Sequence, residues 1–174
     1  MNAFIIPSKE EIKDIYYFSA FATWNQQSYK THRDYVKALH AFGIKSVIGK
    51  FKSKEQKCRA ICKKSWITHE EKESDVNLAI HVLHHAHINS YDKAMIVTSD
   101  SDLCPAINLV LETFANKEIM VLIPPNRYSI ARELRQTVET RKIKMEHLQR
   151  SLLPPKIYDA KNNLIVSIPE KYNK

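Results

Sequence analysis

The fold class is decided by residues 94–103, which read Ala-Met-Ile-Val-Thr-Ser-Asp-Ser-Asp-Leu. Residues 94–98 form a short, mostly apolar run between polar neighbours, a pattern typical of a parallel strand buried on both faces. Asp100 and Asp102 follow this strand directly. Because ligands of open α/β sheets bind beyond the carboxyl ends of the strands, both carboxylates are candidates to face a shared cleft.

Strand-like and helix-like segments alternate along the rest of the chain. The pattern predicts strands at 12–22, 46–51, 94–98 and 118–123, and helices at 31–42, 75–88, 103–114 and 129–140. Alternation of this kind indicates an α/β fold with a mainly parallel sheet flanked by helices. Two apolar-rich runs around a Lys-Asn-Asn turn, from Lys156 to Pro169, predict a C-terminal hairpin. We therefore expect an α/β domain at 1–155 and a hairpin extension at 156–174.

Composition narrows the class of protein. The 174 residues carry a formal net charge of +8, so the surface attracts polyanions such as nucleic acid. No apolar run reaches the roughly 18 residues that a membrane span needs, and the three cysteines suit a reducing compartment. We therefore expect a cytoplasmic protein without membrane contact. The only two glycines, Gly43 and Gly49, exclude a glycine-rich phosphate loop.

Asp75 is a third candidate acid. On a helical wheel it shares a face with the apolar side chains that should contact the sheet, namely Leu78, Ala79, Val82 and Ala86. Three converging carboxylates repel one another unless a cation neutralises them, and Mg²⁺ or Mn²⁺ does so with oxygen ligands. The alternative is that each acid caps a helix, since Asp is common at helix starts and Asp100 or Asp102 precedes one.

A strongly basic stretch lies between the second predicted strand and Trp66. We predict a loop here that binds single-stranded RNA, with phosphates meeting the cations and bases stacking on the aromatic ring. A solvated charged loop is the alternative. The candidate RNA-binding residues, including one arginine after the strand 118–123, are Lys50, Lys52, Lys54, Lys57, Arg59, Lys63, Lys64 and Arg127.

Other metal or nucleophile signals are weak. Cys58 and Cys62 with His69 lack an obvious fourth zinc ligand, so a structural role is favoured. Cys104 has no base partner in sequence and is predicted to be a small buried residue. Of the histidines on the helix 75–88, the wheel places His84 opposite Asp75 and His81 toward solvent.

Three segments resemble the NYN domain family: 70–79, 91–94 and 98–107. The family pattern has a Lys-x-x-Asp-Val helix start, followed by a strand that ends in Ser-Gly-Asp-Ser-Asp. The resemblance implies a PIN-like fold and divalent-metal-dependent cleavage of RNA phosphodiesters. It assigns catalytic and Mg²⁺- or Mn²⁺-binding roles to Asp75, Asp100 and Asp102. This chain departs from the pattern at Ser99, where the family usually has Gly.

The beginning of the chain also departs from the family pattern. Family members open with a central strand that ends in Asp, soon followed by Asn, whereas Met1 to Pro7 contains no acid. We expect either a truncated chain or a degenerate relative that is weakly active or inactive. The gap can be covered by Ala3 to Ile6, by closure of the flanking strands, or by pairing of two chains as a homodimer.

The functional expectation is a metal-dependent ribonuclease. Two alternatives stay open. One is a catalytically inactive module for RNA binding or assembly with the same fold. The other is an enzyme of small-molecule metabolism, because a fold alone does not determine function.

Overall fold

A computed structural model of the protein describes residues 4–60, 62 and 64–172. The chain divides into two compact units. One comprises residues 14–77 and 154–174, and the other comprises residues 1–13 and 78–153. The boundary predicted at residue 155 between a domain and an extension stays a prediction.

The first unit contains a three-stranded sheet and is called the β1–β3 unit. Its elements are β1 (Tyr16–Ala20), α1 (Gln26–Ala41), β2 (Lys45–Lys57) and β3 (Ser65–Lys72), followed after the chain returns by β7 (Lys156–Tyr158) and β8 (Leu164–Ser167). β1 pairs in parallel with the first part of β2, with Tyr16 opposite Lys45. The rest of β2 forms an antiparallel ribbon with β3, from Lys50 opposite Lys72 to Lys57 opposite Ser65.

Local signals explain the ends of α1. The side chain of Asn25 accepts a hydrogen bond from the backbone N–H of Ser28 at 3.0 Å, which caps the helix start. Gly43 has φ of 76°, a left-handed conformation that stops the helix at little cost for glycine. The predicted stop at Gly43 is confirmed, while the helix begins at Gln26 instead of near Thr31.

The predicted C-terminal hairpin is confirmed as β7 and β8. Asp159 organises its turn, because one carboxylate oxygen accepts hydrogen bonds from the N–H groups of Lys161 and Asn163, both at 2.8 Å. Hydrogen bonds from the side chain and backbone of Asn163 lower the pKa of Asp159. Asn162 takes the left-handed position with φ of 64°, a conformation that Asn tolerates well.

The second unit, called the β4–β6 unit, holds most of the buried core. The end of α2 (Ser74–His87) leads into β4 (Lys93–Val97), a 3₁₀ turn (Ser101–Leu103), α3 (Cys104–Thr113), β5 (Glu118–Ile123), α4 (Arg132–Thr137), β6 (Glu139–Lys142) and α5 (Met145–Gln149). The strands run parallel in the order β4-β5-β6. β5 is buried from Ile119 to Ile123, as its continuous apolar run predicts. The predicted α/β fold with a parallel sheet and helices is therefore confirmed.

Three predictions of secondary structure are corrected. The basic stretch was predicted to be a loop, but its residues up to Lys57 belong to β2. They pair with β3, a strand that was not predicted. The predicted helix 129–140 covers only Arg132–Thr137. Pairing with β5 instead draws residues 139–142 into β6, so tertiary contacts override the helical pattern.

Lys117 is a buried cation just before β5 that contacts the segment between α2 and β4. Its ammonium donates hydrogen bonds to the backbone oxygen of Tyr91, at 2.5 Å, and to the side-chain oxygen of Asn89. It also lies 5.6 Å from the centre of the Tyr91 ring. These contacts compensate the desolvation of the charge and tie the end of α2 to the start of β5.

The segment before β1 does not add a strand to either sheet within the described residues. Ala3 lies outside them, and residues 4–6 form no strand, so the expected filling by Ala3 to Ile6 is not seen in its described part. β1 and β4 are each the edge strand of their own sheet in the described chain. Pairing of two chains stays a prediction.

No helix of the described residues is long and apolar enough to span a membrane.

Glu10 instead anchors this segment to the start of β4. Its carboxylate accepts a hydrogen bond from Lys93 Nζ at 2.9 Å and another from the backbone N–H of Ile6 at 2.6 Å. The bond from Lys93 is the main reason that the pKa of Glu10 lies below its ordinary value. The same bond raises the pKa of Lys93.

This pair predicts a pH-dependent contribution to stability. Because the folded pKa of Glu10 is lowered, its contribution is present above the ordinary glutamate pKa of about 4.3 and is lost as the pH falls through the folded value. Glu10→Gln should therefore lower the melting temperature at pH 6–7, and the difference from wild type should shrink as the pH falls below the ordinary glutamate pKa of about 4.3. Glu11→Gln, next to it and exposed, is the control. A difference that is constant from pH 3 to 7 would contradict the assignment.

Candidate active site and nucleic-acid interface

Two candidate acids lie on the turn that follows β4. The backbone N–H of Thr98 donates to the carbonyl oxygen of Leu122 at 3.2 Å, which extends the pairing with β5 by one residue. The hydroxyl of Thr98 then accepts from the backbone N–H of Asp100 at 3.0 Å. Asp100 and Asp102 are both exposed. The structure thus places these two carboxylates together at the carboxyl end of a buried strand.

Asp100 also has the capping role that was the alternative interpretation. Its Oδ1 accepts a hydrogen bond from the backbone N–H of Asp102 at 3.0 Å, at the start of the 3₁₀ turn Ser101–Leu103. α3 follows at once, with Pro105 in its first turn, where the missing N–H costs nothing. The Asp100 side chain therefore caps the turn and is also exposed to solvent.

Asp75 lies in the first turn of α2. Leu78, Ala79 and Val82 pack against the core as the wheel predicts. Asp75 itself is exposed, and its role in the site stays a prediction. The first turn of α2 precedes the part of the helix that contacts the core, and Val76 beside it is 60% exposed. Asp75 belongs to the β1–β3 unit, whereas Asp100 and Asp102 belong to the β4–β6 unit.

The junction between β3 and α2 holds Asp75 in place and was not predicted. Glu73 adopts φ of 77°, and its carbonyl oxygen accepts the N–H of Asn77 at 2.7 Å to open the helix. Gly49 of β2 makes room for this turn, because a Cβ there would lie 2.6 Å from the carbonyl oxygen of Lys72. A glycine inside a predicted strand often marks a close approach of another backbone segment, so Gly49 was a sequence signal for this junction.

The carboxylates of Asp100 and Asp102 are candidate metal ligands. Among the described residues, no three His, Cys, Asp or Glu side chains form a group that could hold a metal ion. Asp100 and Asp102 nevertheless offer two exposed carboxylates on one turn. Carboxylate oxygen is the donor type that Mg²⁺ and Mn²⁺ prefer, and Mg²⁺ commonly uses one or two protein carboxylates and keeps several waters. The donor chemistry of this turn therefore fits such an ion.

The basic candidates are divided between structural elements. Lys50, Lys52, Lys54 and Lys57 lie on β2, with exposed side chains. Arg59 and Lys64 are exposed in the connection to β3, and Lys63 lies outside the described residues. Arg127 is exposed in the loop after β5. Next to it, the Tyr128 ring has Arg135 and Lys142 at 4.7 and 4.0 Å from its centre.

An aromatic stack on the β2–β3 ribbon had no clear sequence signal. Trp24, from the loop before α1, stacks on the imidazole of His69 with a centroid distance of 3.7 Å and an interplanar angle of 5°. Phe51 meets the same indole edge-on at 4.6 Å. The contact joins residues far apart in the chain, so local periodicity does not reveal it.

The weaker signals resolve as structural features. Cys58 and Cys62 are free thiols, and His69 is engaged by Trp24 and by the Ser53 hydroxyl at 3.2 Å, which does not favour zinc binding. Cys104 is buried, as predicted. His84 is exposed as predicted, whereas the expectation for His81 was wrong, because it is half-buried.

Parallel strands flanked by helices, with two acids at the carboxyl end of a buried strand, define the class as α/β. The chain belongs to the NYN domain family, whose model matches residues 5–146, and this match indicates a PIN-like fold of nuclease type. NYN domains are generally associated with RNA, and PIN-like nucleases generally depend on divalent metals.

Comparison with curated proteins finds similarity to an enzyme named 6-hydroxy-3-succinoylpyridine 3-monooxygenase HspA, from Pseudomonas putida (strain DSM 28022 / S16). The two are 33% identical over 95 residues, which is 55% of this chain and 27% of the relative. The similarity thus spans about a quarter of that protein. No solved structure matches the chain.

Proposed function

We propose that the chain is a metal-dependent ribonuclease domain that cleaves phosphodiester bonds of RNA. The observation that carries the proposal is the pair of exposed carboxylates, Asp100 and Asp102, at the carboxyl end of β4 in a member of the NYN family. This is the edge at which α/β sheets bind ligands.

Asp100 and Asp102 would hold Mg²⁺ or Mn²⁺, and a catalytic role for Asp75 is part of the same proposal. The chemistry supplied by a bound ion is activation of water and stabilisation of charge on the leaving oxygen. One backbone hydrogen bond, donated by the N–H of Asp102, holds the Asp100 carboxylate at its Oδ1. The exposed residues Lys50, Lys52 and Lys54 of β2, together with Arg59, Lys64 and Arg127, would attract the RNA backbone.

An inactive module for RNA binding or assembly is the second candidate. It is favoured by the capping role of Asp100 and by the lack, among the described residues, of a group of three potential metal ligands. The exposed lysines of the β2–β3 ribbon would serve RNA binding without cleavage equally well. A small-molecule enzyme is a third candidate, supported only by the printed name of the partial relative.

The test is cleavage of a labelled single-stranded RNA by the full chain in Mn²⁺, with and without EDTA. EDTA-sensitive cleavage is the expected result. Binding without cleavage would favour the inactive module. If RNA is neither bound nor cleaved, both nucleic-acid candidates are wrong, and the small-molecule candidate remains.

Metal binding predicts a separate thermal shift. A ligand bound only by the folded state, at about 100 times its Kd, stabilises by about 2.7 kcal/mol, so Mn²⁺ should raise the melting temperature by about 5–10 °C. Asp100→Asn and Asp102→Asn should each abolish the rise. Asp92→Asn, which changes an exposed acid just before β4, should keep it. An equal rise in all variants would place the ion elsewhere.

A further inference from the structure

The register of the β2–β3 ribbon sorts its side chains onto two faces. Cross-strand partners share a face, and successive residues alternate between faces. Lys52 lies opposite Glu70 and Lys54 opposite Thr68, so even-numbered residues of both strands share one face. Phe51, Lys57 and His69 lie on the other face. The basic stretch, which is continuous in sequence, is therefore split between two surfaces.

The odd-numbered face is partly covered by the chain itself. Trp24 stacks on His69 and meets Phe51 edge-on, and Ser53 bonds to His69. This contact fills the middle of that face with the protein's own aromatic side chains. The even-numbered face is the one left with a row of exposed cations.

Cations and an indole line the even-numbered face, here called the lysine face. It carries Lys50, Lys52, Lys54, Lys72 and Trp66. The Trp66 side chain is 50% exposed, and the lysines are exposed too. Lysines at every second position of a strand recur about every 6.7 Å, a spacing comparable to the phosphate repeat of an extended single strand.

Neighbouring carboxylates do not neutralise this face. Lys50 pairs with Glu73, while Glu70 lies 2.9 Å from Lys72 and 3.9 Å from Lys54. Four lysines thus face two carboxylates, and no ion pair of Lys52 occurs in the described part of the chain. Exposed pairs of this kind contribute little, so phosphates can compete for the lysines. The surplus charge is positive and complements a polyanion.

We infer that the lysine face binds single-stranded RNA, with the sugar-phosphate backbone along Lys50, Lys52 and Lys54 and one base stacked on Trp66. The identification of the ligand as RNA rests on the proposed function. A single strand is required because a base that is stacked within a duplex is not available to an indole. Lys57 belongs to the opposite face and makes no contact with this RNA path.

Binding of a fluorescein-labelled oligouridylate, measured in EDTA so that no metal-dependent cleavage occurs, tests the inference. Trp66→Ala should weaken binding by about 5- to 150-fold, the range for loss of one stacked base. Lys52→Ala should lower the slope of log affinity against log salt by about 0.7, as expected for one phosphate contact on a single strand.

Matched controls lie on the opposite face. Lys57→Ala removes the same charge from the same strand, and Ile67→Ala truncates an exposed neighbour of Trp66. Both should bind as wild type does, and equal melting temperatures of all variants would exclude misfolding. Equal losses on both faces, no losses on either, no binding by wild type, or equally tight binding of duplex RNA would overturn the inference. Face-specific binding without any cleavage in Mn²⁺ would overturn only the proposed ribonuclease activity.

Discussion

RNA cleavage should fall by about 100-fold or more when Asp100 or Asp102 is replaced by asparagine, the scale of losing one group that stabilises developing charge. The substitution removes charge and leaves local structure intact, because Asn caps a helix start about as well as Asp. In Asp100→Asn, the side-chain oxygen of the introduced amide would still accept the backbone N–H of Asp102. A loss of cleavage with an unchanged melting temperature in EDTA therefore reports the carboxylate charge and not folding.

Asp92→Asn is the matched control for this loss. Asp92 is exposed just before β4, at the strand end opposite to the candidate site. Single-turnover cleavage rates with saturating enzyme should be equal for Asp92→Asn and wild type. Asp75→Asn should behave like Asp100→Asn if Asp75 is the third acid. Full cleavage by Asp100→Asn and Asp102→Asn would show that these acids are not the site.

Gly49→Val should destabilise the β1–β3 unit by about 3 kcal/mol, because overpacked positions relax only by moving their neighbours. The first added atom, Cβ, would already lie 2.6 Å from the backbone oxygen of Lys72. The Cβ of Glu73 and the N–H of Ser74, each at 3.4 Å, close off the space beside it. The whole junction that opens α2 and carries Asp75 would have to shift.

Trp24 and Trp66, the only tryptophans of the chain, both lie in this unit and report its unfolding by fluorescence. Gly43→Ala is the control, since nothing lies within 4 Å of a Cβ at that position. Its cost of about 1 kcal/mol comes from the left-handed φ alone. A urea midpoint for Gly49→Val no lower than that for Gly43→Ala would contradict the close approach.

Sequence reasoning was most accurate where burial dictates residue type. The strand Glu118–Ile123 was predicted to the residue, because a strand covered on both faces requires an unbroken apolar run. The turn with Asp100 and Asp102 was placed correctly for the same reason, since it follows another such run. The end of α1 at Gly43 followed from the conformational freedom of glycine.

The β2–β3 ribbon was missed because its side chains are mostly polar on both faces. Lys52, Lys54 and Lys57 do not alternate with buried apolar residues, so periodicity resembles that of a solvated loop. The strand exists because its backbone groups pair across the ribbon and Trp24 packs on it from a distant loop. β6 was missed similarly, since pairing with β5 determines it.

The chain's sequence by itself determined the α/β class, the family pattern and the pair of acids after β4, because these depend on local patterns of burial and on residue type. Tertiary structure alone decided which cations share a face, since that depends on the register between β2 and β3. It also decided that Asp75 is exposed, because the wheel shows direction around a helix axis but not where packing along the axis begins.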